Sequence, residues 1–274
     1  MKLEQKNIDH FSNEWNYFKN DSLEKKFTDS IFRDYFQIFP FDQIGKNSIG
    51  ADFGCGTGRF SNYFCANTKH MHIIEPSTAI NVAKEKLSIF SNTTFHNKTI
   101  KELTIASNIL DFGFCLGVLH HTEDVQENLN ICVSKLKPGA PFLLYVYYSM
   151  KNQKPLYRFV WFLTDLIRKY FISLMPFRVK LILTFFIAFF IYLPFARIAK
   201  LFENLISINS WPLSYYRNLP FYLMRNDALD RFGNRIEKRY SKDNIREIME
   251  VSGLQNIKFS LNKPFWCVLG YKKL

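Results

Sequence analysis

The chain has 274 residues, 47% hydrophobic and 22% charged, which excludes an intrinsically disordered protein and allows one large domain with an elaboration. The five cysteines show no CxxC pair and no metal-ligand spacing, and residues 1–14 are too polar for a secretory signal. We therefore expect reduced thiols in a cytoplasmic protein without a metal site. The formal charge of +12 arises in residues 151–274, which carry 21 Lys/Arg and 8 Asp/Glu. This basicity is either a solvated surface or a face for anionic lipid, phosphate or nucleic acid.

Aromatic residues at helical spacing punctuate the first 47 residues and predict one or two helices ahead of a sheet. From residue 48 onward, apolar strand segments and helical segments alternate. The predicted strands are 48–53, 70–75, 93–97, 109–116 and 141–147, and the helices between them are 57–66, 77–90 (capped by Ser77) and 122–136 (capped by Thr122). This alternation predicts βαβ units and a parallel sheet.

The alternation stops over residues 155–209 and resumes at Ser241, which is placed to cap a helix that ends at Gly253. Strands 254–261 and 265–271 follow around a turn at 262–264, and strands so close together must be antiparallel neighbours. The predicted fold is α/β: a Rossmann-like seven-stranded sheet of five parallel strands plus a C-terminal antiparallel hairpin, with helices on both faces. The predicted divisions are an N-terminal helical segment (1–47), a ligand-binding core (48–150), a helical, basic and Phe-rich insertion (151–239), and a closing helix and hairpin (240–274).

A glycine-rich loop, Gly54-x-Gly56-x-Gly58, lies between the first predicted strand and helix. Glycines there let the backbone turn tightly and approach a ligand, and the helix N-terminus favours an anionic group. A dinucleotide fingerprint would need glycine at position 59, which is arginine. Glu75 ends the second strand about 20 residues later, at a position where a carboxylate can accept hydrogen bonds from both hydroxyls of a ribose. Together with Asp52, the acidic residue before the loop, these features predict a ligand that contains adenosine and a short charged tail. The alternative is a tight turn that binds no ligand.

Residues 48–64 resemble motif I of class I S-adenosylmethionine (SAM)-dependent methyltransferases, whose core is D-x-G-C-G-T-G. Residues 109–123 resemble the fourth strand and its L-H-H exit in quinone-biosynthesis methyltransferases, and 136–143 resemble the family's L-K-P-G-G-x-L turn. A weaker resemblance, in the N-terminal Phe/Trp pattern and the C-terminal helix, is to enzymes of surface-glycan and secondary-metabolite pathways. The resemblance implies a SAM site over the carboxyl ends of strands one, two and four. The residues implied for the cofactor are Asp52, Gly54, Cys55, Gly56, Thr57, Gly58, Glu75, Pro76, Asn97, Leu116 and Gly117.

Two positions depart from this family. The aspartate that usually contacts the adenine amino group after strand three is absent, and Asn97 is the substitute acceptor that we expect there. The [Asp/Asn]-Pro-Pro-aromatic sequence of many nucleic-acid amino methyltransferases is replaced by residues 115–118, which read C-L-G-V. The second departure argues against nucleic acid as a partner.

His120 and His121 leave strand four at the place where the methyl group of the cofactor should point. Methyl transfer needs an aligned nucleophile and often a base, so either histidine is a candidate base for a hydroxyl acceptor. The alternative is that His120 packs under the sheet edge and His121 forms a hydrogen bond with the backbone. Tyr147 and Tyr148, at the end of strand five, are further candidates for the acceptor site or else packing residues.

The insertion is basic and rich in phenylalanine: residues 151–209 carry nine Lys/Arg and two Asp/Glu, and residues 181–196 are uncharged. A bilayer span needs about 20 residues, and Pro194 is expected to interrupt this stretch, so we expect no crossing. Three roles remain open for 155–209: a lid on the active site, an interfacial helix on the inner face of the membrane, and a homodimer surface.

The sequence thus predicts a SAM-dependent methyltransferase that acts at oxygen or carbon of a small-molecule or lipid-linked acceptor. The first alternative is a membrane-associated protein that binds SAM without turnover. The second is an NAD-dependent oxidoreductase, which Arg59 disfavours.

Overall fold

The alternating apolar segments form one seven-stranded sheet in a computed structural model, which describes residues 3–19, 25–150, 155–205, 211–262 and 267–274. The strands are β1 (Ile49–Phe53), β2 (His70–Ile74), β3 (Thr93–His96), β4 (Phe112–Leu116), β5 (Pro141–Tyr145), β6 (Leu254–Phe259) and β7 (Cys267–Lys272). Their order across the sheet is β3-β2-β1-β4-β5-β7-β6. Strands β1 to β5 pair in parallel, and β7 pairs antiparallel with both β5 and β6. The predicted fold class is confirmed.

The chain divides into two units, one formed by Met1–Asn152 with Ile236–Leu274 and the other by Gln153–Arg235. In chain order the helices are α1 (Leu3–Tyr17), α2 (Lys25–Tyr35), α3 (Ser61–Cys65), α4 (Ala79–Lys86), α5 (Val125–Lys135), α6 (Pro155–Tyr170), α7 (Phe177–Ile187), α8 (Leu193–Phe202), α9 (Phe221–Gly233) and α10 (Lys242–Val251). Helices α6 to α9 form the second unit, and the others belong to the first unit with the sheet.

Buried apolar side chains hold the sheet in the first unit. Every residue of β5 is buried, as expected of a strand covered on both faces. One core cluster joins Phe53 and Phe142 in the sheet to Leu129 in α5 and Met249 in α10. Because the strand order reverses between β1 and β4, their carboxyl ends flank the point where open α/β sheets bind ligands.

Local hydrogen bonds shift several predicted boundaries. Thr122 does not cap α5, because the Asp124 side chain accepts the Glu127 N–H at 2.9 Å and the helix begins three residues later. Ser77 is not at the cap position of α4: the helix begins at Ala79, Thr78 occupies the cap position, and the Ser77 hydroxyl accepts the Ala79 N–H at 3.3 Å. Ser241 caps α10 as predicted, accepting the backbone N–H of the third helical residue at 3.2 Å. Residues 206–210 of the predicted insertion and 263–266, in the predicted closing hairpin, lie outside the described residues.

One helix runs without interruption from Phe177 to Phe202, so the predicted break at Pro194 is wrong. A π turn over Ala188–Tyr192 joins α7 to α8 just before Pro194. In that turn the ordinary helical hydrogen-bond pattern, which a proline would interrupt, is already replaced by the wider π pattern. Among the described residues this is the one helix with the length and composition of a membrane-spanning segment: it has 26 residues, and its most apolar 18-residue stretch has a mean hydropathy of 2.2.

Candidate active site

Three glycines shape the loop between β1 and α3. Gly54, Gly56 and Gly58 have φ angles of 85°, 55° and 73°, a region that side chains with a Cβ rarely adopt. A Cβ on Gly54 would lie 2.3 Å from Val118 Cγ2, and one on Gly58 would lie 3.1 Å from Ala83 Cβ. The loop therefore passes too close to the exit of β4 and to α4 for larger residues.

Asp52 anchors this loop from inside β1. It is 3% exposed, and its carboxylate accepts a hydrogen bond from the Ser61 hydroxyl at 2.5 Å. Burial raises the pKa of Asp52 to about 7, with a further rise from the Glu75 charge and opposing effects of Ser61 and Arg59. The carboxyl group therefore changes its charge near neutral pH.

Glu75 lies directly after β2, at the position that the sequence assigns to ribose recognition. One carboxylate oxygen accepts the Gly56 N–H and the other accepts the Ser77 N–H, both at 3.0 Å. Burial raises the pKa of Glu75, and these hydrogen bonds oppose the rise. Asn97 donates from Nδ2 to the carbonyls of Glu75 (2.9 Å) and Pro76 (3.1 Å), so its amide stabilises this turn and its Oδ1 is the atom that remains to accept from an adenine amino group.

Thr57 supplies a buried hydroxyl in the middle of the glycine loop. It is 1% exposed, and its Oγ1 has no hydrogen-bond partner among the residues that the structure describes. Buried hydroxyls are rarely left without a partner, so this atom points to a ligand at the loop. Cys55, two residues earlier in the loop, is also buried, which raises the pKa of its thiol well above the usual range and keeps it neutral.

The exit of β4 forms the other side of the site. Leu116 ends the strand, and Gly117 has a φ of 79° and donates its N–H to the Tyr145 carbonyl at 3.0 Å. A Cβ on Gly117 would meet nothing within 4 Å, so the local demand there is for the backbone angle.

His120 and His121 follow in a short helical turn and meet Tyr147. The centroid of the His120 ring is 4.0 Å from the centroid of the Tyr147 ring. Burial, together with the nearby charges of His121 and Arg239, lowers the pKa of His120 well below its usual range and keeps the ring neutral. The Nδ1 atom of His121 lies 2.7 Å from the Ile236 carbonyl. Because a carbonyl only accepts, Nδ1 carries the proton and Nε2 carries the lone pair. Tyr148 forms a strand-like bridge to residue 240.

Helix α1 brings N-terminal residues to both sides of the site, which the sequence did not predict. The Trp15 ring lies 3.5 Å from the position that a Cβ added to Gly56 would occupy, and the Asn16 amide donates to the Thr78 hydroxyl at 2.7 Å. At the other end, Asn7 donates to the His121 carbonyl at 3.1 Å. The buried face of α1 is polar: Asn7, His10 and Glu14. Their 3–4 spacing was a signal of a helix face, but polar residues are ordinarily assigned to the solvent side.

Comparison with known proteins supports a methyltransferase interpretation of this region. Residues 51–142 match a family model described as a methyltransferase domain. An uncharacterised protein from Synechococcus sp. is 29% identical over 115 residues, a match that covers 38% of this chain and 26% of that protein. The candidate methyltransferase in a complex with the Trm112 methyltransferase activator of Haloferax volcanii aligns at 10% identity over 95% of this chain and 98% of its own, with a TM-score of 0.54. A candidate methyltransferase from Bacillus halodurans aligns at 11% identity over 84% of this chain and 72% of its own, with a TM-score of 0.51. These two structures share the fold.

Proposed function

We propose that this chain uses SAM to methylate a small-molecule or lipid-linked acceptor at oxygen or carbon. Two findings support the proposal: residues 51–142 match a family model described as a methyltransferase domain, and the chain shares the fold of a candidate methyltransferase. The glycine loop carries the proposal. Three positive-φ glycines, the buried Glu75 carboxylate and the Thr57 hydroxyl meet there, and that hydroxyl has no partner among the described residues.

The residues of the loop fit the chemistry of this cofactor. Thr57 Oγ1 and the loop backbone would hold the amino-acid end, and Glu75 would accept from the ribose hydroxyls. Asn97 would accept from the adenine amino group, while Leu116 and Gly117 would underlie the end from which the methyl group leaves. When bound, the sulfonium supplies an electrophilic methyl group to a nucleophile aligned with it.

In their ionised forms, Asp52 and Glu75 give the loop a negative character that suits a ligand with sulfonium and ammonium cations. Both groups are buried, where charge interactions are stronger than in water. An NAD pyrophosphate would instead bring two negative charges to the same place. This electrostatic difference favours SAM over a dinucleotide.

On the acceptor side, His121 is the better placed of the two histidines to accept a proton. Its Nδ1–H is held by the Ile236 carbonyl, so Nε2 presents its lone pair. The His120 ring is fully buried, and burial lowers its pKa well below the usual range, so this ring resists taking up a proton. We assign His120 a packing role beside Tyr147 and His121 the role of base.

Ligand binding and methyl transfer test the two parts of this proposal. S-adenosylhomocysteine at roughly 100 times its dissociation constant should stabilise the chain by about 2.7 kcal/mol, seen as a higher melting temperature, whereas NAD should not. Gly56→Val should abolish the shift, because a side chain there enters the space before Trp15. Transfer of radiolabelled methyl from SAM to fractionated lipid, glycan and small-molecule extracts would then identify the acceptor. No shift with S-adenosylhomocysteine would refute the cofactor assignment, and a shift without transfer would indicate binding without turnover.

A further inference from the structure

The second unit carries a broad apolar surface on α6 and on the continuous helix Phe177–Phe202, which we call the aromatic surface. Among the described residues, 20 of the 27 exposed large hydrophobic side chains lie between Phe159 and Leu205. Soluble proteins expose such residues singly, and a contiguous group of them marks a surface that another phase or molecule covers. This concentration distinguishes the second unit from the first.

The continuous helix is built with its small and polar residues inside. Its buried positions recur every three or four residues: Lys180, Thr184, Ala188, Tyr192, Ala196 and Ala199. Three of them pack with Met224 and Ala228 of α9. The outward positions include Phe186 and Phe190, which are 49% and 65% exposed. A helix in water has the opposite arrangement, whereas helices surrounded by lipid pack through small residues.

Helix α9 indicates how the helix is oriented in a lipid surface. The Lys180 ammonium donates to the Gly233 carbonyl at 2.8 Å, and the Phe189 ring lies 6.2 Å from that of Phe221, so α9 runs antiparallel beside the middle of the helix. Between those contacts α9 carries four partly exposed charged side chains: Arg225, Asp227, Asp230 and Arg231. A membrane-spanning orientation would place these charges in hydrocarbon, at a cost of several kcal/mol. An orientation in the membrane plane leaves α9 on the water side.

The positive charge of the second unit indicates which kind of partner covers the aromatic surface. Residues 153–235 carry 12 Lys/Arg and four Asp/Glu. Exposed basic residues flank the apolar side chains at Arg158, Lys169, Arg178, Arg197 and Lys200. A second copy would bring the same positive charge against itself, whereas anionic headgroups complement it. We propose that the aromatic surface binds an anionic lipid bilayer, with Phe177–Phe202 lying in the plane of the interface.

Vesicle flotation tests this proposal with the full chain synthesised in a cell-free system. The wild type should float with vesicles of phosphatidylcholine containing about one third phosphatidylglycerol, and more weakly with phosphatidylcholine alone. Phe186→Ser with Phe190→Ser should weaken flotation at least about tenfold, since both half-exposed rings leave the lipid. The matched control is Ile89→Ser with Val251→Ser, two exposed apolar residues of the first unit, which should float like the wild type. Equal flotation of the two double variants, or no flotation of the wild type, overturns the proposal.

Cysteine labelling tests the orientation. All five native cysteines are buried, so the wild type provides an unlabelled background. Arg178→Cys and Lys200→Cys, at opposite ends of the helix, should both react with a membrane-impermeant maleimide added outside the vesicles. Labelling of only one end would indicate a spanning helix and overturn the in-plane orientation. A dimer in sedimentation that Phe186→Ser with Phe190→Ser abolishes, without vesicle binding, would assign the surface to a second copy instead.

Discussion

Replacing Thr57 with valine removes one buried hydroxyl from the glycine loop and leaves a side chain of the same shape. Since Thr57 Oγ1 has no hydrogen-bond partner among the described residues, the chain without ligand carries the desolvation cost of that group, roughly 1–3 kcal/mol. We therefore expect Thr57→Val to increase the free energy of unfolding by about 1 kcal/mol, or roughly 2–4 °C in Tm. The same change should weaken S-adenosylhomocysteine binding about tenfold, because the ligand loses a hydrogen bond.

The two effects have opposite signs, which makes the test sharp. Urea denaturation and thermal melting of the ligand-free protein measure the first, and titration calorimetry measures the second. Thr68→Val is the matched control, because Thr68 is also buried but donates to the Phe64 carbonyl at 3.0 Å. It should lower stability by about 1 kcal/mol and leave binding unchanged. Lower stability in Thr57→Val, or unchanged binding, would refute the assignment of this hydroxyl to the cofactor.

Three further expectations concern the same site. Gly54→Ala should lower the free energy of unfolding, measured by urea denaturation, by about 2–4 kcal/mol, and Gly139→Ala should lower it by about 1–2 kcal/mol. Both glycines have positive φ, but only the Cβ added at Gly54 meets a neighbour within 4 Å. Equal losses would contradict the packing argument. Binding of SAM should tighten between about pH 6 and about pH 8. Burial raises the pKa of Asp52 to about 7, and a cationic ligand binds better to the ionised carboxylate that forms over this range. Calorimetry of Asp52→Asn should show no such pH dependence. His121→Asn should lower kcat roughly 100-fold or more with KM little changed if His121 accepts the proton, whereas an effect on KM alone would remove it from that role.

The geometry of the glycine loop and of Glu75 beside it was predictable because its determinants are local. A positive-φ turn needs glycines at particular positions, and the end of β2 lies beside the end of β1 in any parallel pair. Gly54, Gly58 and Glu75 therefore lie together once the strands are assigned. The helix caps were less predictable, because Thr122 and Asp124 both suit an N-cap and the choice between them depends on hydrogen bonds with the folded loop.

The surroundings of His121 were not predictable because distant segments form them. Ile236, which holds the His121 ring, and Asn7, which holds the His121 carbonyl, are each more than 100 residues away along the chain. Neither belongs to a motif. Likewise, nothing local shows that a π turn before Pro194 allows the helix to continue, since proline ordinarily ends a helix.

Two helices contradict the rule that apolar residues point inward, and they do so for different reasons. Helix α1 buries Asn7, His10 and Glu14, so its inward face offers polar contacts beside the histidine turn. The helix Phe177–Phe202 buries Lys180 and small residues and exposes phenylalanines. Neither arrangement is the one that folding in water alone would favour, and such departures concentrate where function imposes its own demands. The first departure lies next to the proposed cofactor loop, so residues that recognise the proposed acceptor should be sought on α1. The second forms the aromatic surface, which we propose binds a lipid bilayer.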